Sequence, residues 1–136
     1  MKDPIWITKE AVLAIQARLL SQFGGLPGLR DEGLLESALN RPQHLLTYGK
    51  PDLFQMAAAY AVGIVKNHPF LDGNKRAGFM AAYSFLGVNG LEFEAPEEQV
   101  VLQTLGLAAG EIKQAEYAAW LKASCPKRPA RARRKK

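Results

Sequence analysis

His68-Pro69-Phe70-Leu71-Asp72-Gly73-Asn74-Lys75-Arg76 places an imidazole, a carboxylate, a glycine turn and two adjacent cations within nine residues. Downstream of it, residues 74–88 have helix length, with Ala77, Met80, Ala81, Ser84, Phe85 and Val88 at helical spacing. Upstream, Leu53, Met56, Ala57, Tyr60, Ala61, Ile64 and Val65 repeat in the same way, behind Asp52 as an N-cap. Both segments are apolar over most of their circumference, so they belong at the centre of a helical bundle rather than at its rim. The stretch is therefore a loop between two central helices of an all-α domain.

That position gives its residues a chemistry. Gly73 and Asn74 open the downstream helix, whose first-turn N–H groups and positive dipole end favour an anion. Lys75 and Arg76 stand in the same turn, where cations oppose the dipole unless an outside anion compensates them; a nucleotide phosphate is the natural candidate. His68 ends the upstream helix because Pro69 bars its continuation, and an imidazole so placed is a candidate general base. Asp72 offers a hard oxygen ligand for the magnesium that accompanies nucleotide phosphates. Of Phe70 and Leu71, one or both should sink into the core and anchor the loop.

Working outward, Thr8 caps a first helix carrying Val12, Ile15, Leu19 and Leu20, which should end near Gly24-Gly25. Asp31 caps a short helix burying Leu34, Leu35, Ala38 and Leu39. Residues 40–52, with Pro42, Gly49 and Pro51, read as the longest polar connection before the loop, and His44 lies on it as an ordinary solvated histidine. Asn89-Gly90 stops the second central helix, and residues 91–95 are short and extended. Pro96 opens another helix interrupted at Gly106 and Gly110, and a last helix over about 111–123 turns Ile112, Ala115, Ala119 and Trp120 inward, with Tyr117 a further candidate for that face. About six helices result.

At 136 residues the chain is one domain able to bury its own core. The single cysteine, Cys125, excludes an internal disulfide, and two histidines with one cysteine make no zinc cluster. No secretory or membrane-spanning pattern is present, so the expected setting is cytoplasmic, without a membrane partner. The net charge of +5 is misleading: residues 127–136 hold seven cations, and without them 11 basic residues face 13 acidic ones. The division expected is a catalytic domain over 1–125 and a basic tail over 126–136 with no periodicity to fold. Such a tail offers nonspecific nucleic-acid binding, and a regulatory module acting through it is the competing reading from another class.

The central stretch resembles the Fic/Doc motif in its Doc, or death-on-curing, form: His-x-Phe-x-Asp/Asn-Gly/Ala-Asn-Lys-Arg. Arg30-Asp31-Glu32-Gly33-Leu34-Leu35-Glu36-Ser37-Ala38-Leu39 and Arg41-Pro42-Gln43 are similar to the upstream part of the same family, so the likeness spans about residues 5–122. Against the wider Fic pattern, His-Pro-Phe-x-Asp/Glu-Gly-Asn-Gly-Arg-x-x-Arg, Lys75 replaces a glycine and Phe79 replaces the second arginine. The resemblance implies a toxin of a toxin–antitoxin module that uses ATP as co-substrate with magnesium. His68 would be the base, Asp72 a magnesium ligand or proton carrier, and Gly73, Asn74, Lys75 and Arg76 the phosphate holders. It places over residues 40–52 the flap that aligns the target. Lysine at the glycine position implies γ-phosphate transfer to a protein hydroxyl, with elongation factor Tu as the family's precedent. Fic-type nucleotide transfer and a binding-only member stay open beside it. No Ser/Thr-x-x-x-Glu-Gly/Asn helix is present in the sequence, so restraint is expected from a separate Phd-like antitoxin.

Overall fold

The computed structural model describes residues 3–126 of the chain. Six helices follow one another: α1 (Lys9–Phe23), α2 (Glu32–Tyr48), α3 (Leu53–Asn67), α4 (Asn74–Val88), α5 (Glu97–Ala109) and α6 (Gln114–Ala123). Among the described residues there is no strand, only one antiparallel bridge between Leu29 and Phe70. No described helix is long and apolar enough to cross a membrane.

Helix α3 is the axis of the bundle. Every residue from Met56 to Val65 is buried, and α2, α4 and α6 pack directly on it. Its small residues set how closely they come. A Cβ on Gly63 would stand 2.9 Å from the Ala38 Cα in α2, and one on Gly78 of α4 would stand 2.7 Å from Val65 Cγ2. Neither distance is compatible with close-packed atoms, so the missing side chains fix the spacing of the three helices. Tyr60, Ile64 and Met56 fill the remaining volume with Phe85, Leu86, Leu35 and Leu121.

The helix starts follow the expected caps. Thr8 Oγ1 accepts from Ala11 N–H at 3.1 Å, Asp31 Oδ1 from Leu34 N–H at 3.0 Å, and Asp52 and Gln55 cap each other reciprocally. Each such cap contributes about 1 kcal/mol. Lys9 joins α1 to α2 through Glu32 and Glu36.

Several expectations are corrected. The helix capped by Asp31 is not short: α2 continues through Pro42 to Tyr48, and Pro42 is itself buried. Pro42 has no N–H to give Ala38, a loss that would normally break a helix. Burial of Leu35, Ala38, Leu39 and Pro42 against the core outweighs it. With α2 occupying residues 32–48, the long flap expected over 40–52 does not exist, and only residues 49–52 connect α2 to α3. The last helix begins at Gln114, and its core residues are Tyr117, Ala118 and Leu121; Ala115 and Ala119 are exposed. Lys113 N–H donates to Glu116 Oε1 at 2.7 Å at its start, while the N–H groups of Glu111 and Ile112 turn back to the Gly106 carbonyl. Gly106 does not interrupt α5, which ends at Gly110. Val88 is also exposed rather than buried. The basic tail from residue 127 onward lies outside the described residues.

Candidate active site

The loop between α3 and α4 begins at His68, which caps α3 at φ 56° and ψ 53°. Among the described residues it alone has positive φ without being glycine, a conformation costing about 1–2 kcal/mol. Pro69 disfavours the right-handed alternative, and His68 N–H donates to Ile64 O at 3.1 Å. The imidazole is left exposed.

The rest of the loop is fastened from two directions. From inside, Phe70 is completely buried, while Leu71 is 45% exposed, so Phe70 is the anchor. Asn74 Oδ1 accepts from Phe70 N–H at 3.0 Å and Asn74 Nδ2 donates to Phe70 O at 2.9 Å. From outside, residues 24–31 run along the loop. Leu71 N–H donates to Gly28 O at 3.1 Å, and the N–H groups of Arg30 and Asp31 reach Pro69 O at 2.6 and 3.0 Å. Leu26 N–H donates to Asp72 Oδ2 at 2.7 Å. Gln16, buried on α1, donates from Nε2 to Asp72 O at 3.1 Å. Arg30 donates from Nε to His68 O at 2.8 Å and from Nη2 to Asn67 O at 2.9 Å.

The mouth of α4 is built to stay open. Gly73 adopts φ 82°, and no side chain caps the helix. The first turn contains no acidic residue, so its orphan N–H groups retain the potential to bind an anion. Lys75 and Arg76 are both exposed there, and the Arg76 guanidinium lies 4.2 Å from the centre of the Phe23 ring. That contact orients the cation without neutralising it.

These residues form one end of a groove of about 730 Å³, which continues over Phe79, Tyr83, Phe93 and Val100. The volume falls within the range of small-ligand sites. Phe79 stands 5.4 Å from Phe93 and 5.9 Å from Tyr83, ring centre to ring centre. Where the wider Fic pattern has its second arginine, the wall of this groove is thus aromatic.

The structure brings His68, Asp72, Gly73, Asn74, Lys75 and Arg76 together. It revises one role: the Asn74 side chain is 3% exposed and tied to Phe70, leaving only its backbone N–H for a ligand. No group of three or more His, Cys, Asp or Glu residues gathers among the described residues. A divalent ion would take Asp72 and the ligand's own phosphate oxygens, a donor set that suits magnesium. Sequence reading missed Gln16, Phe23 and Leu26, and met Arg30 only as the first residue of the upstream family-like stretch, with no role given. Gln16 was detectable as a polar residue four positions after Val12 on an apolar face; Phe23 and Leu26 carry no local signal.

An uncapped helix mouth stands here with an imidazole, a carboxylate and two cations around it, and the chain that carries it belongs to the Fic/DOC family, whose family model matches residues 6–86. Within the family it is of the Doc type. It is 37% identical over 114 residues to "Protein kinase doc" of Escherichia phage P1, covering 82% of this chain and 89% of that protein. To "Toxin Doc" of Mycolicibacterium smegmatis it is 43% identical over 76 residues, covering 54% of this chain and 58% of that protein.

Proposed function

We propose that this chain is the toxin of a toxin–antitoxin module and acts as a protein kinase, moving the γ-phosphate of ATP to a hydroxyl of a translation factor similar to elongation factor Tu. The observation that carries the reading is the open mouth of α4, with Lys75 and Arg76 in its first turn and His68 on the same groove. Phosphate oxygens would be held by the first-turn N–H groups of residues 74–76, with Lys75 and Arg76 supplying full charge. The His68 imidazole would accept the proton of the attacking hydroxyl. Asp72 keeps Leu26 N–H on one carboxylate oxygen and has the other for magnesium, which offsets the charge of the transferring phosphoryl group.

Lys75 favours the terminal phosphate. A glycine there would let backbone amides approach a diphosphate closely, whereas a lysine fills that space and offers a point charge. The apolar wall of Phe79, Tyr83 and Phe93 suits a nucleobase, which stacks on aromatic faces. A Phd-like antitoxin segment folding into the groove would block the site.

The test is incubation of the purified chain with cell extract and ATP labelled at the α or the γ position. Label in a protein from the γ position alone supports the kinase. Label from the α position establishes nucleotide transfer instead, and label from neither leaves a binding protein.

A further inference from the structure

We infer that Arg30 is a positioning residue for the general base, its guanidinium forking onto the last two carbonyls of the α3 terminus so that His68 holds the one backbone conformation that presents its imidazole to the groove. The inference rests on His68 having the role proposed above. Arg30 Nε and Nη2 donate at 2.8 and 2.9 Å to the carbonyls of His68 and Asn67. The two bonds come from one rigid planar group and fix two consecutive peptide planes. Those planes flank a residue at φ 56°, a state that a non-glycine residue keeps only when its surroundings impose it.

The remaining contacts show what the fork alone controls. The backbone bonds from Arg30 and Asp31 to Pro69 O, and from Leu71 to Gly28 O, do not involve the guanidinium. They keep residues 24–31 paired with the loop when the side chain is changed. The mouth of α4 is held separately by Asn74 on Phe70 and by Gln16 on Asp72 O. Loss of the fork therefore frees the base and leaves the phosphate end in place. Catalysis falls while nucleotide binding persists.

A merely structural Arg30, present as a positive charge at a helix C-terminus, predicts something else, because lysine supplies that charge equally well. The experiment compares wild type, Arg30→Ala and Arg30→Lys for γ-label transfer, nucleotide KM and thermal melting. Both variants should lose about 10²-fold in kcat, the scale of a misplaced reacting group. Their KM for ATP should stay within about twofold, since the anion-binding turn is untouched. Free guanidinium ion should restore part of the kcat of Arg30→Ala. Arg30→Lys at wild-type kcat, or a kcat loss matched by a rise in KM, overturns the inference. Arg30→Lys keeps the alkyl stem and the charge, so it serves should Arg30→Ala not melt cooperatively. If wild type transfers no label, the kinase reading fails and nuclear magnetic resonance decides on Arg30. One sharp His68 backbone amide signal that splits or broadens in Arg30→Lys supports the fork, and an unchanged signal overturns it.

Discussion

Asn74 and Lys75 are neighbours in a motif read as phosphate-binding, yet they should behave oppositely under mutation. Asn74→Ala leaves Phe70 N–H and O without partners in the core. At about 1–3 kcal/mol for each buried unsatisfied group, a loss of about 2–6 kcal/mol of stability is expected in denaturant unfolding. Lys75→Gly touches no such bond. It should melt within a few degrees of wild type while γ-phosphate transfer falls and some nucleotide transfer appears, read as the ratio of α- to γ-label in the acceptor. The sequence made the residue types legible, because imidazole, carboxylate and cations announce their chemistry. It did not reveal that the Asn74 amide turns inward, since an asparagine reads alike whether it serves a ligand or a backbone.

At the scale of elements, the segment beside the loop is residues 24–31, not 40–52. The mistaken reading came from Pro42, a helix breaker by local rules that tertiary burial overrode. Conversely, Gly24, Gly25, Pro27 and Gly28 have turn composition, and nothing local says that such a turn will pair with Phe70 and Leu71 forty residues away. A matched pair of substitutions separates the two assignments. Gly25 sits at φ 125°, and a Cβ there would lie 3.2 Å from the Asp72 Cβ. Gly25→Ala should therefore displace Asp72 and lower kcat about tenfold or more. Gly49 is extended at φ −161° and a Cβ there meets Leu45 O at 3.4 Å. Gly49→Ala should leave transfer unchanged. Equal effects of the two would return the loop-supporting role to the 49–52 connection.

The whole bundle was legible because its central helices are apolar nearly all round, and no strand or membrane pattern imitates that over these lengths. Helix registers at the rim were not, because an alanine-rich helix such as α6 packs with almost any face until tyrosine and leucine find space. Tyr117 took that space. Its hydroxyl meets Thr104 Oγ1 at 3.0 Å, and burial pushes its pKa up to about 12. Burial also raises that of Tyr60, whose hydroxyl accepts from Ile7 N–H. In both, the folded state retains a proton that the unfolded state releases near pH 10. The stabilisation is complete below pH 10 and falls as pH rises toward 12. For Tyr117 the loss reaches about 2–3 kcal/mol. Urea midpoints measured from pH 8 upward should drop across this window. In Tyr117→Phe they should start lower but decline less steeply, and parallel decline in the two proteins would remove Tyr117 as a cause.

The intact mass of the acceptor tests the assignment of reaction and base together. A purified elongation factor Tu-like protein is incubated with ATP, magnesium and either wild type or His68→Ala, and its mass is recorded alongside the melting curve of each enzyme. The acceptor should gain one phosphoryl group with wild type. With His68→Ala, whose fold should be intact, the rate should drop by a factor of about 10² to 10⁴. A gain of one nucleotidyl group, or an undiminished phosphoryl gain with a properly folded His68→Ala, would contradict the account.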